Sequence, residues 1–338
     1  MKGTPLQWAM VLAPAAAFGT AFLWTATAAS HNPVAPSAYI EQLETNIGHH
    51  EGFRRNHAKG ICVSGYFEGA GNLSELSSSE FFDRQRSKVV GRFSIPGPPS
   101  APDNQADVRA LGLMLISNSG EEWRMAVNST PVFVVSTPEA VMELFKAQSP
   151  SAPKDAVATF MQSNPETKTF RDFMGSNPPS ASFASAPYHS INSFYFISDS
   201  GNRHPVRWKF EPRTSNEGLS APTEPNGLMS EMLSRVNAGN AAVWDMYVYV
   251  ADKDDNYLNA TVNWQEDKTP IHAGVLVLNQ AENQMGANCY NVNFDPSILP
   301  EGVEVSEDPL IAARSAVYSR SFDGRMIEQA KGRMEKQS

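Results

Sequence analysis

Arg314-Ser315-Ala316-Val317-Tyr318, near the C-terminus, is the stretch of sequence from which the fold can be worked out. If the stretch is helical, its arginine and tyrosine lie one turn apart on the same face. At about 4 Å and an effective dielectric constant of about 20, a guanidinium stabilises a phenolate by roughly 4 kcal/mol, which lowers the phenol pKa by roughly 3. A phenolate is an anionic ligand that iron accepts. The pair therefore predicts a metal-ligating tyrosine, although plain surface pairs have the same spacing.

Three upstream blocks strengthen this interpretation. They are Arg54-Arg55-Asn56-His57-Ala58-Lys59-Gly60, Gly91-Arg92-Phe93-Ser94 and Val127-Asn128-Ser129-Thr130-Pro131-Val132-Phe133. In order and spacing they resemble the haem catalase family, whose members carry R-x-x-H-A-K-G, R-F-S, N-x-T-P-V-F and R-x-x-x-Y. The resemblance covers roughly residues 50–326. Only about twenty residues follow Tyr318, whereas full-length catalases continue with a wrapping segment and a helical domain. The chain is therefore most similar to the minimal branch, the catalase-related peroxidases.

The resemblance implies a role for each motif residue. Tyr318 would be the iron ligand and Arg314 its electrostatic support. His57 would move a proton from one peroxide oxygen to the other, because an imidazole titrates near neutrality. Asn128 would polarise the bound peroxide. Ser94 would orient the His57 ring by a hydrogen bond.

The same resemblance implies residues that hold the cofactor, haem b. Planar guanidinium groups suit carboxylates, so the haem propionates are assigned to Arg54, Arg92 and Arg325. Asp308 matches an acidic position near the tyrosine helix. The remaining residues expected to contact the porphyrin are Val127, Phe133 and Val141.

Three positions depart from the family pattern. Val141 aligns with the aromatic residue that stacks on the distal haem face, and Asn56 aligns with an aliphatic residue. Asn192 stands where the family has a histidine. These changes predict a wider or more polar distal pocket. Such a pocket favours reduction of one peroxide by a separate electron donor over disproportionation of two molecules of hydrogen peroxide.

The function predicted from these residues is a haem peroxidase that reduces organic peroxides and/or hydrogen peroxide through a ferryl intermediate, with weak or no catalase activity. Its partners would be the peroxide and an unidentified electron donor. Its oligomeric state would be a monomer or a homodimer. Three alternatives stay open. They are rearrangement of lipid hydroperoxides of the allene oxide synthase type, a non-catalytic haem carrier or sensor, and a barrel that binds an apolar ligand without haem.

The composition is that of an ordinary globular protein, with 41% hydrophobic and 19% charged residues. The net charge of −9 argues against a nucleic-acid partner. No zinc motif of the CxxC or HExxH type is present. The two cysteines, Cys62 and Cys289, could form a disulfide or remain two buried thiols, and we favour the thiols because distance cannot be judged from sequence.

The N-terminal segment differs from the rest of the chain. Residues 6–29 are mostly apolar and about long enough to span a bilayer, and the stretch follows a single positive charge at Lys2. The segment fits either a cleaved export signal or an uncleaved membrane anchor, and the sequence leaves both interpretations open. We expect a signal or anchor at 1–29, a linker at 30–37 and a haem peroxidase domain at 38–338. The predicted location is the periplasm, with the protein soluble after cleavage or tethered to the inner membrane by one N-terminal helix.

Two runs of strands with helices between and after them indicate an α+β fold built on an antiparallel barrel. The resemblance implies eight strands, with haem between the barrel and the C-terminal helix. Predicted helices are 38–48, 139–148, 155–162, 170–174, 227–237 and 307–335. Predicted strands are 61–68, 88–95, 109–117, 122–127, 131–136, 193–198, 205–210, 243–250, 257–264 and 273–279.

Overall fold

The computed structural model describes residues 34–335, and within them ten strands and six α-helices follow one another. The helices are α1 (Pro36–Ile47), α2 (Pro138–Ala147), α3 (Ala156–Ser163), α4 (Thr167–Ser176), α5 (Gly227–Asn237) and α6 (Pro309–Glu335). The strands are β1 (Gly60–Gly69), β2 (Arg86–Ser94), β3 (Ala110–Ile116), β4 (Glu122–Asn128), β5 (Tyr188–His189), β6 (Phe194–Ile197), β7 (Arg203–Pro212), β8 (Ala242–Val250), β9 (Ile271–Asn283) and β10 (Val303–Val305).

Eight of these strands close into an antiparallel barrel. Their order is β5-β4-β3-β2-β1-β9-β8-β7, and the ring closes because β7 pairs with both β8 and β5. Strands β6 and β10 extend the sheet from the edge of β7. Closure leaves most strand edges paired, which removes sites for edge-to-edge aggregation. The predicted α+β fold with an eight-stranded antiparallel barrel is confirmed.

The barrel interior is a packed aromatic core. Alternate residues of β8 point inward, so Trp244 and Met246 are fully buried while Asp245 and Tyr247 face outward. Trp123 meets Trp208 edge to face, with ring centroids 5.4 Å apart. The indole N–H of Trp244 donates to the carbonyl oxygen of Ala186 at 2.9 Å, so burial leaves this polar group satisfied. The interior is filled by side chains, and the ligand site must lie outside the barrel.

Two predicted strands, 131–136 and 257–264, are wrong. Both segments are irregular, and they meet through one backbone hydrogen bond, from Phe133 N–H to the carbonyl oxygen of Ala260 at 2.8 Å. Pro131 has no N–H to give a sheet ladder. Phe133 instead packs with Ile191, Ala260 and Leu310, and Val135 packs with Ala140, Leu144 and Phe160. The other predicted strands and the predicted helices are present, with ends shifted by a few residues.

The favoured interpretation of the cysteines is also wrong. Cys62 and Cys289 form a disulfide, with Cα atoms 5.4 Å apart across a sequence separation of 227. Cys62 lies on β1, and Cys289 lies in the loop after β9. The bond therefore ties this loop to the barrel wall.

The predicted localisation needs correction. Among residues 34–335, no helix has both the length and the apolar character needed to cross a membrane, so a tether by an N-terminal transmembrane helix has no support. The apolar segment at residues 6–29 lies outside the described residues.

Candidate active site

The outer face of β2, β3 and β4 forms the floor of a cavity. Residues two apart on a strand share a face, so the strand register predicts which side chains point outward together. Two rows cross these strands side by side, Arg92–Gly112–Ala126 and Ser94–Ala110–Asn128. Ala110 and Ala126 are small and leave room above the wall for a flat ligand, whereas the Phe294 side chain packs directly on Gly112. Val127 has the opposite orientation and belongs to the barrel core.

His57 lies three residues before β1 in an unusual backbone conformation, with φ of +53°. Non-glycine residues in this left-handed region carry strain and are enriched at functional sites. The side-chain oxygen of Asn56 accepts hydrogen bonds from the backbone N–H groups of His57 at 2.8 Å and Gly97 at 2.9 Å. The hydroxyl of Ser94 lies 3.3 Å from His57 Nδ1. Backbone and ring are both held in place.

The charge state of His57 follows from its surroundings. Burial, and then the guanidinium groups of Arg92, Arg314 and Arg54, lower the pKa of His57 to about 3. The imidazole is therefore neutral at pH 7. A neutral imidazole can accept a proton from one group and return it to another.

Tyr318 and Arg314 lie where the sequence predicted, one turn apart on α6. Arg314 Nη2 donates to the Tyr318 hydroxyl at 3.4 Å, and the guanidinium lies 5.8 Å from the centre of the phenol ring. The same Nη2 donates to the carbonyl oxygen of Ala126 on β4 at 3.1 Å. These contacts hold the guanidinium between the helix and the barrel wall.

Asn192 joins this arrangement, which the sequence did not indicate. Its side-chain oxygen accepts a hydrogen bond from Arg314 Nη1, and its amide nitrogen donates to Asp308 Oδ2 at 2.7 Å. The Asn192 position therefore belongs to the surroundings of Tyr318 and Arg314. The expectation that it makes the distal pocket more polar is not what the structure shows.

Three arginines converge on the cavity without an acidic partner among the described residues. Arg54 donates to the carbonyl oxygens of Val292 at 2.9 Å and Cys289 at 3.3 Å. Arg92 donates to Gln284 Oε1 at 2.7 Å and to the carbonyl oxygen of His57 at 2.8 Å. The remaining arginine, Arg325, donates to the carbonyl oxygen of Tyr290, while its Nε has no hydrogen-bond partner among residues 34–335.

Burial and repulsion by at least one nearby arginine act on all three guanidinium groups, and for Arg325 that arginine is Arg55. Burial, then Arg325, lowers the pKa of Arg92 to about 9, and burial lowers the pKa of Arg325 to about 10. For Arg54, burial and then both neighbouring arginines lower the pKa well below its ordinary value. Buried cations without partners are costly, and a ligand with carboxylates would neutralise them.

All the predicted site residues line one cavity of about 470 Å³, although the side chain of Val127 packs in the barrel core. This volume lies within the range of about 300–1,000 Å³ that small-molecule sites occupy. Phe133 and Val141 contribute an apolar part of the wall. Helices α1 and α2 extend it with apolar side chains, among them Tyr39, Leu43 and Leu144.

Comparison with known proteins agrees with this geometry. The family model described as Catalase matches residues 37–329. The chain belongs to the catalase family. It is 32% identical over 301 residues to the catalase-related peroxidase of Synechococcus elongatus. The matched region covers 86% of this chain and 89% of that protein. It is 26% identical over 293 residues to the catalase-related peroxidase of Mycolicibacterium paratuberculosis, with 85% and 93% covered. Within the family, it belongs to this branch.

Solved catalase structures share the fold. A fungal catalase superposes with a TM-score of 0.74 at 21% identity, over 81% of this chain and 59% of that one. Catalase A from Saccharomyces cerevisiae gives a TM-score of 0.72 at 21% identity, with 81% and 61% covered. The chain thus spans about three fifths of the length of these catalase chains.

Members of the catalase family are oxidoreductases that act on peroxide, and this chain is an enzyme of that class. The family generally binds haem. The residues present fit that cofactor. Three uncompensated guanidinium groups suit its carboxylates, Ala110 and Ala126 leave space for a flat ring, and Tyr318 offers an oxygen ligand.

Proposed function

We propose that this protein is a haem b peroxidase that reduces organic peroxides and hydrogen peroxide with electrons from a separate donor, and that it has weak or no catalase activity. The observation that carries the proposal is His57, kept neutral and oriented by Ser94 inside a cavity that Tyr318 also lines. The catalase-related peroxidases that the chain resembles support it.

The chain's own residues would act mainly by moving and holding protons. With Nδ1 of His57 donating to the Ser94 hydroxyl, Nε2 is free to accept the peroxide proton and to return it to the departing oxygen. Asn128, whose side chain shares the outward row with Ser94, would orient the peroxide. The departing oxygen leaves as an alcohol or as water. The other peroxide oxygen is released as water after the donor has supplied its electrons.

The cofactor would be held by the residues described above. When bound, haem supplies the two electrons that cleave the O–O bond, and the donor returns them one at a time. Tyr318 would ligate the iron, and Arg314 would stabilise the phenolate. Arg54, Arg92 and Arg325 would pair with the propionates.

The shape of the distal side favours a separate donor over a second peroxide. Val141 presents a small side chain where an aromatic ring would narrow the cavity. The apolar residues of α1 and α2 suit the carbon chain of an organic peroxide. The donor and the peroxide are the partners we propose, and a monomer or homodimer remains our prediction for the oligomeric state.

The test compares wild type with His57→Gln after loading with haemin. We expect His57→Gln to keep its haem and to lose about 10²–10⁴-fold in the rate of peroxide-dependent donor oxidation. His272→Gln, the same change at a partly exposed histidine outside the cavity, is the matched control and should match wild type. Equal rates in wild type and His57→Gln would overturn the role of His57.

Product analysis separates the remaining functions. Oxygen release from hydrogen peroxide alone, at a rate comparable to donor oxidation, would show catalase activity. Consumption of a fatty-acid hydroperoxide without any donor would instead show rearrangement of the allene oxide synthase type. A protein that binds haem but reacts with no peroxide would be a carrier or sensor.

A further inference from the structure

Helix α1 closes one side of the cavity. It packs mainly against α6, which carries Tyr318, and against α2, which carries Val141. Its two buried side chains, Tyr39 and Leu43, both line the cavity. We propose that α1 is a lid, which opens to admit and release haem and is held shut by polar contacts. The inference rests on the proposed function, because it takes haem as the occupant of the cavity.

The apolar face of α1 is not part of the protein core. Among residues 34–335, the clusters of buried apolar side chains contain no residue of α1. Burial of an apolar face in a core is what mainly fixes a helix in a protein. Helix α5, for example, places Leu228 and Met232 in the barrel core. Displacement of α5 would therefore open the core, whereas displacement of α1 would open only the cavity.

An ion pair fastens the C-terminal half of α1. Glu44 Oε1 lies 2.6 Å from Arg55 Nε, and the Arg55 guanidinium also pairs with Glu328 on α6. The side chain of Arg55 is 6% exposed, whereas that of Glu44 is 26% exposed. The arginine is thus a fixed part of the protein body, and the lid contributes a carboxylate that water reaches. An ion pair open to water costs less to break than a buried one.

Two hydrogen bonds fasten the lid to α2. The Tyr39 hydroxyl donates to the carbonyl oxygen of Pro138 at 2.6 Å, and the side-chain amide of Asn46 donates to the carbonyl oxygen of Phe145 at 2.8 Å. When the lid opens, water can replace the protein partner in each bond, so the net cost of breaking them is modest. These contacts suit an element that closes firmly and still opens.

The lid has a hinge directly after its last residue. Gly48 has a left-handed backbone with φ of +87°, the conformation in which many helices end. The chain is fixed again at Gly52, whose N–H donates to Glu328 Oε2 at 2.8 Å and whose carbonyl oxygen accepts the Tyr290 hydroxyl at 2.6 Å. The pivot therefore lies in residues 48–51, since hinges are short segments at the ends of elements. The lid can move while the loop after Gly52 stays in place.

The other walls of the cavity are poorly suited to move. The floor is a hydrogen-bonded sheet, and α6 carries the residues that would bind the iron and the propionates. Helix α1 carries none of the predicted site residues. Because haem is a rigid macrocycle, one wall must give way for it to enter, and α1 can do so without dismantling the site.

The experiment measures two rates: the uptake of haemin by the haem-free protein, and the transfer of haem from the loaded protein to an excess of a haem-scavenging protein. Glu44→Gln keeps the size of the side chain and removes its charge. We expect it to raise both rates about tenfold, the effect of losing one contact between charged groups. Because Glu44 does not line the cavity, the weaker contact should populate the open lid with and without haem, so the affinity should change by less than about twofold.

Glu41→Gln is the matched control, because it makes the same change at an exposed position of the same helix. It should leave both rates at their wild-type values. Asn46→Ala, which frees the lid from α2, should raise both rates, so the test does not depend on one variant. Hydrogen exchange read by mass spectrometry provides a direct measure of opening. The amides of residues 36–47 should exchange faster in Glu44→Gln, while those of β2, β3 and β4 keep their wild-type protection.

A change in only one of the two rates in Glu44→Gln would overturn the proposal, because Glu44 would then act on the bound or the free state alone. Wild-type rates in both Glu44→Gln and Asn46→Ala would also overturn it. Failure of the wild-type protein to take up haemin would instead overturn the proposed function, so the two failures are distinguishable.

Discussion

The Asn56 side-chain oxygen accepts the backbone N–H of His57 at 2.8 Å, at the one point in this loop where a non-glycine residue has a left-handed backbone. The same oxygen accepts the N–H of Gly97 at 2.9 Å. A left-handed conformation costs a residue such as histidine about 1–3 kcal/mol. Asn56 offsets part of that cost, so this departure from the family pattern acts on the backbone as well as on the cavity wall.

We expect Asn56→Leu to slow peroxide reduction about 10–100-fold while haem content stays the same, because His57 would lose the anchor of its backbone. Steady-state donor oxidation, with haem counted by absorbance, measures this. Asn104→Leu is the control, since Asn104 also makes a side-chain hydrogen bond to the backbone, in this case by donating to the carbonyl oxygen of Thr223 at a partly exposed site. A faster Asn56→Leu enzyme would mean that pocket polarity, and not backbone geometry, limits the rate.

Tyr318→Phe should lose haem or change its absorption spectrum, because the only change is removal of the oxygen that would ligate the iron. The control is Tyr66→Phe, a tyrosine that also stacks with an arginine, Arg86 at 4.2 Å, but on another part of the surface. Absorption spectra of the haemin-loaded proteins provide the measurement. An identical spectrum in wild type and Tyr318→Phe would contradict the ligand assignment.

The three buried arginines predict dependence on the ligand's carboxylates. Haemin dimethyl ester, which lacks the two carboxylates, should bind at least about 100-fold more weakly than haemin, since each charge-assisted hydrogen bond contributes about 1.5–3 kcal/mol. Titration of both ligands into the haem-free protein measures the ratio. In Arg92→Leu the ratio of the affinity for haemin to that for the dimethyl ester should be smaller than in wild type. Equal affinities of wild type for the two ligands would show that the arginines do not bind the carboxylates.

His189 should make stability depend on pH. Burial, then Lys209 and Arg207, lowers its pKa to about 3, so the folded state keeps it neutral while the unfolded state binds a proton below about 6.5. The free energy of unfolding should therefore fall as the pH drops from about 6.5 toward 3, by about 1.4 kcal/mol per pH unit from this group.

Urea unfolding of wild type and His189→Gln at pH 7, 5.5 and 4.5 checks this expectation. His189→Gln should have the shallower pH dependence, even if it is less stable at pH 7. His50→Gln, at a more exposed position, should keep the wild-type slope. Parallel slopes in wild type and His189→Gln would rule out a neutral buried His189.

The disulfide should contribute both to stability and to cofactor binding. Replacing Cys62 and Cys289 together with alanine should lower the free energy of unfolding by about 2–5 kcal/mol, because the bond closes a loop of 227 residues. Haem loss should also accelerate, since the loop it anchors supplies the carbonyl oxygens of Cys289 and Val292 to Arg54. A reducing agent should lower the free energy of unfolding of wild type and leave that of the double variant unchanged. If the reducing agent does not change the stability of wild type, the disulfide does not have this role.

Much of this protein follows from the order of its residues alone. The alternation in β8 and the spacing of Arg314 and Tyr318 on α6 express local backbone geometry, in which side chains repeat every two residues on a strand and every three or four on a helix. Local geometry is a property of neighbouring residues, so most of the strands and the helices could be predicted from sequence, whereas the roles of the motif residues were predicted from the resemblance to the catalase family.

Only the tertiary structure decided which distant residues meet. The pairing of Cys62 with Cys289 and the contact of Asn192 with Arg314 join positions more than a hundred residues apart. No local pattern encodes such distances, and an asparagine suits a turn as well as a buried link. Likewise, residues 131–136 have strand-like composition but are irregular. Burial of Phe133 beside Ile191 and Leu310, and of Val135 beside Ala140 and Leu144, outweighs their intrinsic preference for a strand.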